Sequence, residues 1–186
     1  MKAELISKYG TWRDVADRAR NTIGKEAGQG EPSSEWKRRM LLCEHSPIRA
    51  ISLTMRLRDL LSWVSVHLVR HKFGVEHWVS TQRTDRTGVD RSDLSQAELV
   101  RHEMQLNPQA MIAISRKRLC RCAAPETQAA WRAVVIEVSK TEPELAAACV
   151  PDCIYRGHCY EYKSCGYHHT STFQAQLEDY RRGINA

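Results

Sequence analysis

The sequence predicts an α+β fold, a single domain with a small sheet and several helices, and three observations carry that prediction. The stretch RAISLTMRLR alternates Ile51, Leu53, Met55 and Leu57 with Ser52, Thr54, Arg56 and Arg58, the period of a strand with one buried face. Later segments open instead on helix-starting signals: Asn107 before Pro108, Pro125, and the spaced pairs Ser95/Glu98 and Thr141/Glu144. At 186 residues the chain can bury one core without disulfides.

Taken in order, MKAELIS reads as a short first strand, and TWRDVADRARNTIG as a capped helix from Thr11 ending at Gly24. KEAGQGEPSS is a loop, and a short amphipathic helix follows over about 35–42. After the alternating strand, Asp59 is the expected N-cap of LLSWVSVHLVRHKFG, a helix ending near Gly74 with Arg70, His71 and Lys72 in its last turn. Helices are expected over QAELVRHEMQL, QAMIAISRKRLC, PETQAAWRAVVIEVSK and EPELAAACV. CIYRGHCYEYKSCGYHHTSTF has no clear period and is expected to be irregular. The tryptophans read mostly as core-facing helical residues.

Composition narrows the function classes. Hydrophobic residues make up 42% and charged residues 27%, and no apolar run approaches 18 residues, so a membrane span is not expected. MKAELISKYG has no signal-peptide pattern, and seven cysteines without one point to the cytoplasm and to reduced thiols. The net charge of +6, with 20 of 28 basic residues being arginine, favours an anionic partner. The densest basic run, Arg116, Lys117, Arg118 and Arg121, reads more readily as a solvated helix end than as a phosphate contact.

Two constellations carry chemistry. In HLVRHKFGVEHWVSTQR, the triplet Arg70-His71-Lys72 is followed after seven residues by Ser80, and then by Gln82 and Arg83. Clustered cations at one helix end complement the helix dipole, or neutralise phosphates that a serine and an arginine hold together. In the tail, Cys149, Cys153, Cys159 and Cys165 lie within 17 residues, with His158, His168 and His169 nearby. Four thiols suit tetrahedral zinc, but the spacing lacks a tight C-x-x-C pair. Zinc is therefore possible but not favoured over reduced thiols packed among Tyr155, Tyr160, Tyr162 and Tyr167.

The first constellation resembles the flavin-dependent thymidylate synthase family, marked by Arg-His-Arg, seven residues and Ser within HQLVRHR, with a further Arg soon after. Here Lys72 replaces the second Arg, His67 replaces the Gln, and one extra residue precedes Arg83. CEHSP supplies the family's Glu-His pair as Glu44 and His45, and FQAQLEDY its Ala-Gln-x-Glu motif as Ala175, Gln176 and Glu178. The resemblance implies a single domain over 1–186, with a divergent Cys/His-rich segment at about 149–170. It also implies FAD-dependent reductive one-carbon transfer to C5 of a uracil nucleotide such as dUMP, with NADPH and methylenetetrahydrofolate as co-substrates, in a homotetramer with shared active sites. His45, Arg70, His71 and Lys72 would hold the flavin, and His67, Ser80, Gln82 and Arg83 the nucleotide.

The tail departs from the family. Its pyrimidine-activating arginine falls at Thr170, the terminal motif's arginine is replaced by Tyr180, and the TxNxR segment gives way to the cysteine-rich stretch. No catalytic residue is assigned. The alternatives are a nucleotide- or nucleic-acid-binding homologue without turnover, and a zinc-stabilised interaction protein; nucleic acid is not the expected partner.

Overall fold

The alternating stretch becomes the strand that organises the sheet. The computed structural model describes residues 1–182, and the last four residues of the expected 1–186 domain lie outside the described residues. In order, the elements are β1 (Lys2–Tyr9), α1 (Trp12–Asn21), α2 (Ser34–Leu42), a 3-10 turn (Ser46–Ala50), β2 (Ser52–Leu61), α3 (Ser62–Leu68) and β3 (Val75–Val79). They continue with α4 (Thr84–Thr87), a 3-10 turn (Arg91–Asp93), β4 (Leu99–Leu106), α5 (Pro108–Arg118), α6 (Pro125–Ser139) and α7 (Pro143–Ala148). The tail holds α8 (Asp152–Arg156), a 3-10 turn (Tyr167–His169) and α9 (Ser171–Arg182).

The four strands form one antiparallel sheet in the order β1-β2-β4-β3. On its buried face Leu53, Met55 and Leu57 of β2 join Met104 and Leu106 of β4, all at most 1% exposed. α3 packs on β2 and β4 and α6 on β1 and β2, and Trp131 and Val134 of α6 are fully buried. Burying a large apolar side chain stabilises the fold by about 1.5–3 kcal/mol. The opposite face is polar and tied across strands: Arg56 pairs with Glu103 at 2.8 Å, Arg58 with Glu4 at 2.9 Å, and Gln105 Nε2 donates to Ser52 Oγ.

Three expectations are corrected. QAELVRHEMQL is not a helix, because Val100, His102, Met104 and Leu106 alternate with exposed or half-buried Arg101, Glu103 and Gln105, and this period of two places β4 between β2 and β3. Ser95 and Glu98 close a turn before the strand. Asp59 caps no helix: it sits at φ 54 in a register shift between Leu57 and Leu60, and β2 continues to Leu61. The helix that follows is therefore only Ser62–Leu68, and Arg70, His71 and Lys72 lie beyond it, in the turn to β3. That strand was not expected, and Trp78 on it is 52% exposed rather than in the core.

At Gly74 the turn is fixed by backbone geometry. Its φ is +71, and a Cβ there would lie 2.7 Å from Asn107 Nδ2, the residue whose Oδ1 caps α5. In the tail, of the tyrosines expected to pack around the thiols, Tyr155, Tyr160 and Tyr162 are exposed, and Tyr167 alone is buried, in a cluster against which Cys153 packs. No helix among the described residues is long and apolar enough to cross a membrane.

Candidate functional site

The basic turn is organised by an arginine from the end of α5. Arg118 Nε donates to His71 Nε2 at 2.8 Å, and its NH2 group donates to the His67 carbonyl at 2.6 Å. His67 Nδ1 meets Thr127 Oγ1 of α6 at 2.8 Å. Arg70 is exposed, yet close enough that its charge opposes protonation of both His67 and Arg118. Lys72 is exposed beside it. The structure thus gathers His67, Arg70 and His71 around Arg118.

His71 is half-buried, and burial first, then the charges of Arg118 and His77, lowers its pKa to about 4. Behind it runs a chain of imidazoles on the buried face. Ser65 Oγ of α3 lies 2.9 Å from His102 Nδ1, His102 Nε2 lies 2.9 Å from His77 Nδ1, and His77 Nε2 lies 2.8 Å from the His71 carbonyl. A carbonyl only accepts, so His77 carries its proton on Nε2, His102 donates from Nε2, and Ser65 donates to His102 Nδ1. Both rings are neutral in this arrangement. Burial, then His77, lowers the pKa of the fully buried His102 to about 4.

His45 stands apart from this group. It is exposed at the start of the 3-10 turn, and its side chain makes no capping bond. Its neighbour Glu44, at φ 50, is ion-paired with Arg116, whose guanidinium stacks 3.5 Å over Tyr155. Arg116 and Arg118 are therefore committed to both halves of the family-like motif, and the expected solvated helix end is half-buried there instead. Sequence reasoning took Arg116 and Arg118 for a solvated helix end and missed His77 and His102. The signal for His102 was its place in the alternation of VRHEMQL, hidden once that stretch was read as helix.

Ser80, Gln82 and Arg83 line a separate groove of about 280 Å³ beside α3, together with Ser65, Val69 and Arg91. Ser80 extends the β3 pairing: its N–H donates to the Arg101 carbonyl at 2.8 Å, and its Oγ accepts from the Arg101 N–H at 3.0 Å, which leaves the hydroxyl proton to donate. Gln82 Nε2 is buried without a hydrogen-bond partner, while the residue itself lines this groove. Arg83 is turned onto Asp85 through two bonds of 2.9 and 2.8 Å.

In the tail, Thr170, where the sequence resemblance would put the family's activating arginine, is a helix cap. Its Oγ1 donates to the Tyr167 carbonyl and accepts from the Phe173 N–H that opens α9. A guanidinium does reach this region, since Arg121 stacks 3.8 Å over the Tyr167 ring. Cys149 turns away into the main core beside Ser115, where burial pushes its thiol up to about 12.

No family model and no curated protein matches the chain. The fold does match solved structures. A UMP/dUMP methylase, PolB from Streptomyces cacaoi bound with 5-Br dUMP, aligns with TM-score 0.62 at 14% identity over 79% of this chain and 93% of its own. The flavin-dependent thymidylate synthase ThyX from Helicobacter pylori, complexed with FAD and dUMP, aligns at 0.65 with 10% identity over 81% and 100%. A second structure of that enzyme with FAD and dUMP gives 0.66 and 12% over 81% and 99%. The chain has the α+β fold of these proteins.

Proposed function

We propose that this chain is a flavin-dependent methylase acting at C5 of a uracil nucleotide. The observation that carries the reading is that Ser80, with its hydroxyl proton free to donate, and Gln82, with an unpartnered buried amide, line one groove made of the residues the sequence resemblance assigns to the nucleotide. Both are donors, as the phosphate and carbonyl oxygens of a uracil nucleotide require. Arg83 would join them on leaving Asp85. The exposed cations Arg70 and Lys72, with His45, would hold the FAD phosphates, while His71 is limited to donating from Nδ1 because Arg118 occupies Nε2. The bound flavin would supply hydride transfer.

The chain's own part is placement and charge. Arg118 fixes the turn, and the Ser65–His102–His77 chain holds the His71 carbonyl from behind. A homotetramer with shared active sites, as the sequence resemblance implies, is the proposed assembly. NADPH and methylenetetrahydrofolate are the proposed co-substrates.

The test is titration of the purified protein with FAD and dUMP, then assay for a C5-methylated nucleotide with both co-substrates. Saturable binding of both with product formation is expected. Binding of dUMP without flavin binding or product would favour the non-catalytic homologue, as the cap at Thr170 also would.

A further inference from the structure

The segment between α8 and the last 3-10 turn has little of what ordinarily holds a loop. Among the described residues, no backbone–backbone hydrogen bond involves residues 158–165, and no helix or strand includes them. Tyr160 and Tyr162 are 61% and fully exposed, so aromatic burial does not fix it either. Its cysteines, half-buried Cys159 and exposed Cys165, border a cavity. The cavity, of about 570 Å³ between the ends of α5 and α6, α8 and α9, is lined by Cys120, Cys153, Cys159 and Cys165. These thiols come from three places: the residue pair after α5, α8 itself, and the loop.

Several contacts already tie the segment to the end of α5 and the residues just after it. Cys122 Sγ donates to the Lys163 carbonyl at 3.6 Å, and Cys120 Sγ lies 3.9 Å from Glu161 Oε1. Lys117 reaches Asp152 and Glu161 at 3.8 and 3.9 Å. The lining also includes Arg121 and Arg132. Four thiolates around a divalent ion leave two net negative charges, and Lys117, Arg121 and Arg132 are cations placed to balance them. Cys149 also borders the cavity but packs into the main core beside Ser115, so the sulfur that completes the set is Cys120, from a segment about thirty residues earlier.

We propose that Cys120, Cys153, Cys159 and Cys165 bind one zinc ion that staples the tail to the end of α5. Four thiolates in tetrahedral array are the usual donor set of a structural zinc site, with Zn–S near ~2.3 Å. Among the described residues no three ligand side chains yet share one metal position, so binding draws the thiols further together. The unpaired loop is the part free of backbone constraint to make that movement. The staple lies two residues from Arg118 and so steadies the arginine that organises the basic turn.

The experiment is elemental analysis of the full-length protein purified from zinc-supplemented cells. About one zinc per chain is expected, lost in Cys120→Ser, Cys153→Ser and Cys159→Ser and kept in Cys149→Ser and Cys43→Ser. Because a ligand variant can lose zinc by failing to fold, cobalt substitution of the wild type supplies a second reading. Intense thiolate-to-cobalt charge-transfer and tetrahedral ligand-field bands are expected. Metal-free wild type, iron in place of zinc, or octahedral cobalt bands would overturn the proposal. Zinc lost in Cys149→Ser but kept in Cys120→Ser would overturn this choice of ligands.

Discussion

The Nε–H of Arg118 donates to Nε2 of His71 across 2.8 Å, and this bond decides the tautomer of the imidazole. His71 must accept at Nε2 and carry its proton on Nδ1, so protonating it would set two donors against each other. Arg118→Gln removes the charge that helps to keep His71 neutral. The His71 pKa should then rise from about 4 toward its ordinary value, while staying below it because burial is the larger cause. NMR titration of the His71 ring checks this, and an unchanged midpoint would remove Arg118 from its environment.

Stability should fall as the solution is acidified from neutral. His71 and His102 both have folded-state pKa values of about 4, below the unfolded value of about 6.5. The unfolded chain therefore takes up these protons first. The stabilisation is fully present above about pH 6.5 and is lost as pH falls toward about 4, with a limiting slope of about 1.4 kcal/mol per pH unit for each histidine. Urea unfolding at pH 7, 6 and 5 should show this decline, and His102→Gln should flatten it. Equal stability at all three values would contradict the neutral histidine chain.

How far the sequence could be read depended on whether a segment's pattern is local. The alternation of β2 and the helix starts at Thr11 and Asn107 involve near neighbours, and all are found in the structure. β4 misled because Ser95/Glu98 imitates a helix start, while its true determinant, a place between β2 and β3, is set by residues far away in sequence. The motif residues of the basic turn were legible, but not the Arg118 that gathers them, because a helix-end arginine looks alike whether solvated or bonded to a distant turn. The tail was hidden for the same reason: Cys120 stands outside the cysteine-rich segment whose cavity it enters.

Glu142 is a stability determinant away from the site. It is 2% exposed, accepts from Trp12 Nε1 at 2.7 Å and pairs with Lys8, joining α1 and β1 to the start of α7. Glu142→Ala strands the buried indole N–H and the lysine, and should cost about 2–4 kcal/mol. Glu142→Gln keeps an acceptor and should cost less. Denaturant midpoints separate the two, and equal losses would mean that shape rather than bonding matters there.

Gln82 should behave in the opposite way. Its buried Nε2 has no partner, so Gln82→Met removes an unsatisfied donor and should leave stability unchanged or slightly raised. If the amide meets a nucleotide oxygen, the same change should weaken dUMP binding about fivefold or more, the loss of roughly 1 kcal/mol. Calorimetry of both properties on one variant decides it: unchanged affinity would take the amide out of the nucleotide site.

Arg83 poses a competition that can be tilted by substitution. Its guanidinium donates twice to Asp85, but both partners are more than half exposed, and such a surface pair is worth only about 0–1 kcal/mol. A charge-assisted bond to a nucleotide phosphate contributes more, about 1.5–3 kcal/mol. The phosphate should therefore draw Arg83 off Asp85, at the cost of the weaker pair. Arg83→Ala should lower dUMP affinity about tenfold to a hundredfold while leaving FAD binding nearly intact. Asp85→Asn frees the guanidinium and should raise dUMP affinity, by up to about fivefold if the whole pair energy is recovered. Titrating dUMP into both variants and the wild type measures the two shifts in opposite directions. Weaker binding in Asp85→Asn would instead make the Arg83–Asp85 pair part of the groove's bound form, with the phosphate held elsewhere.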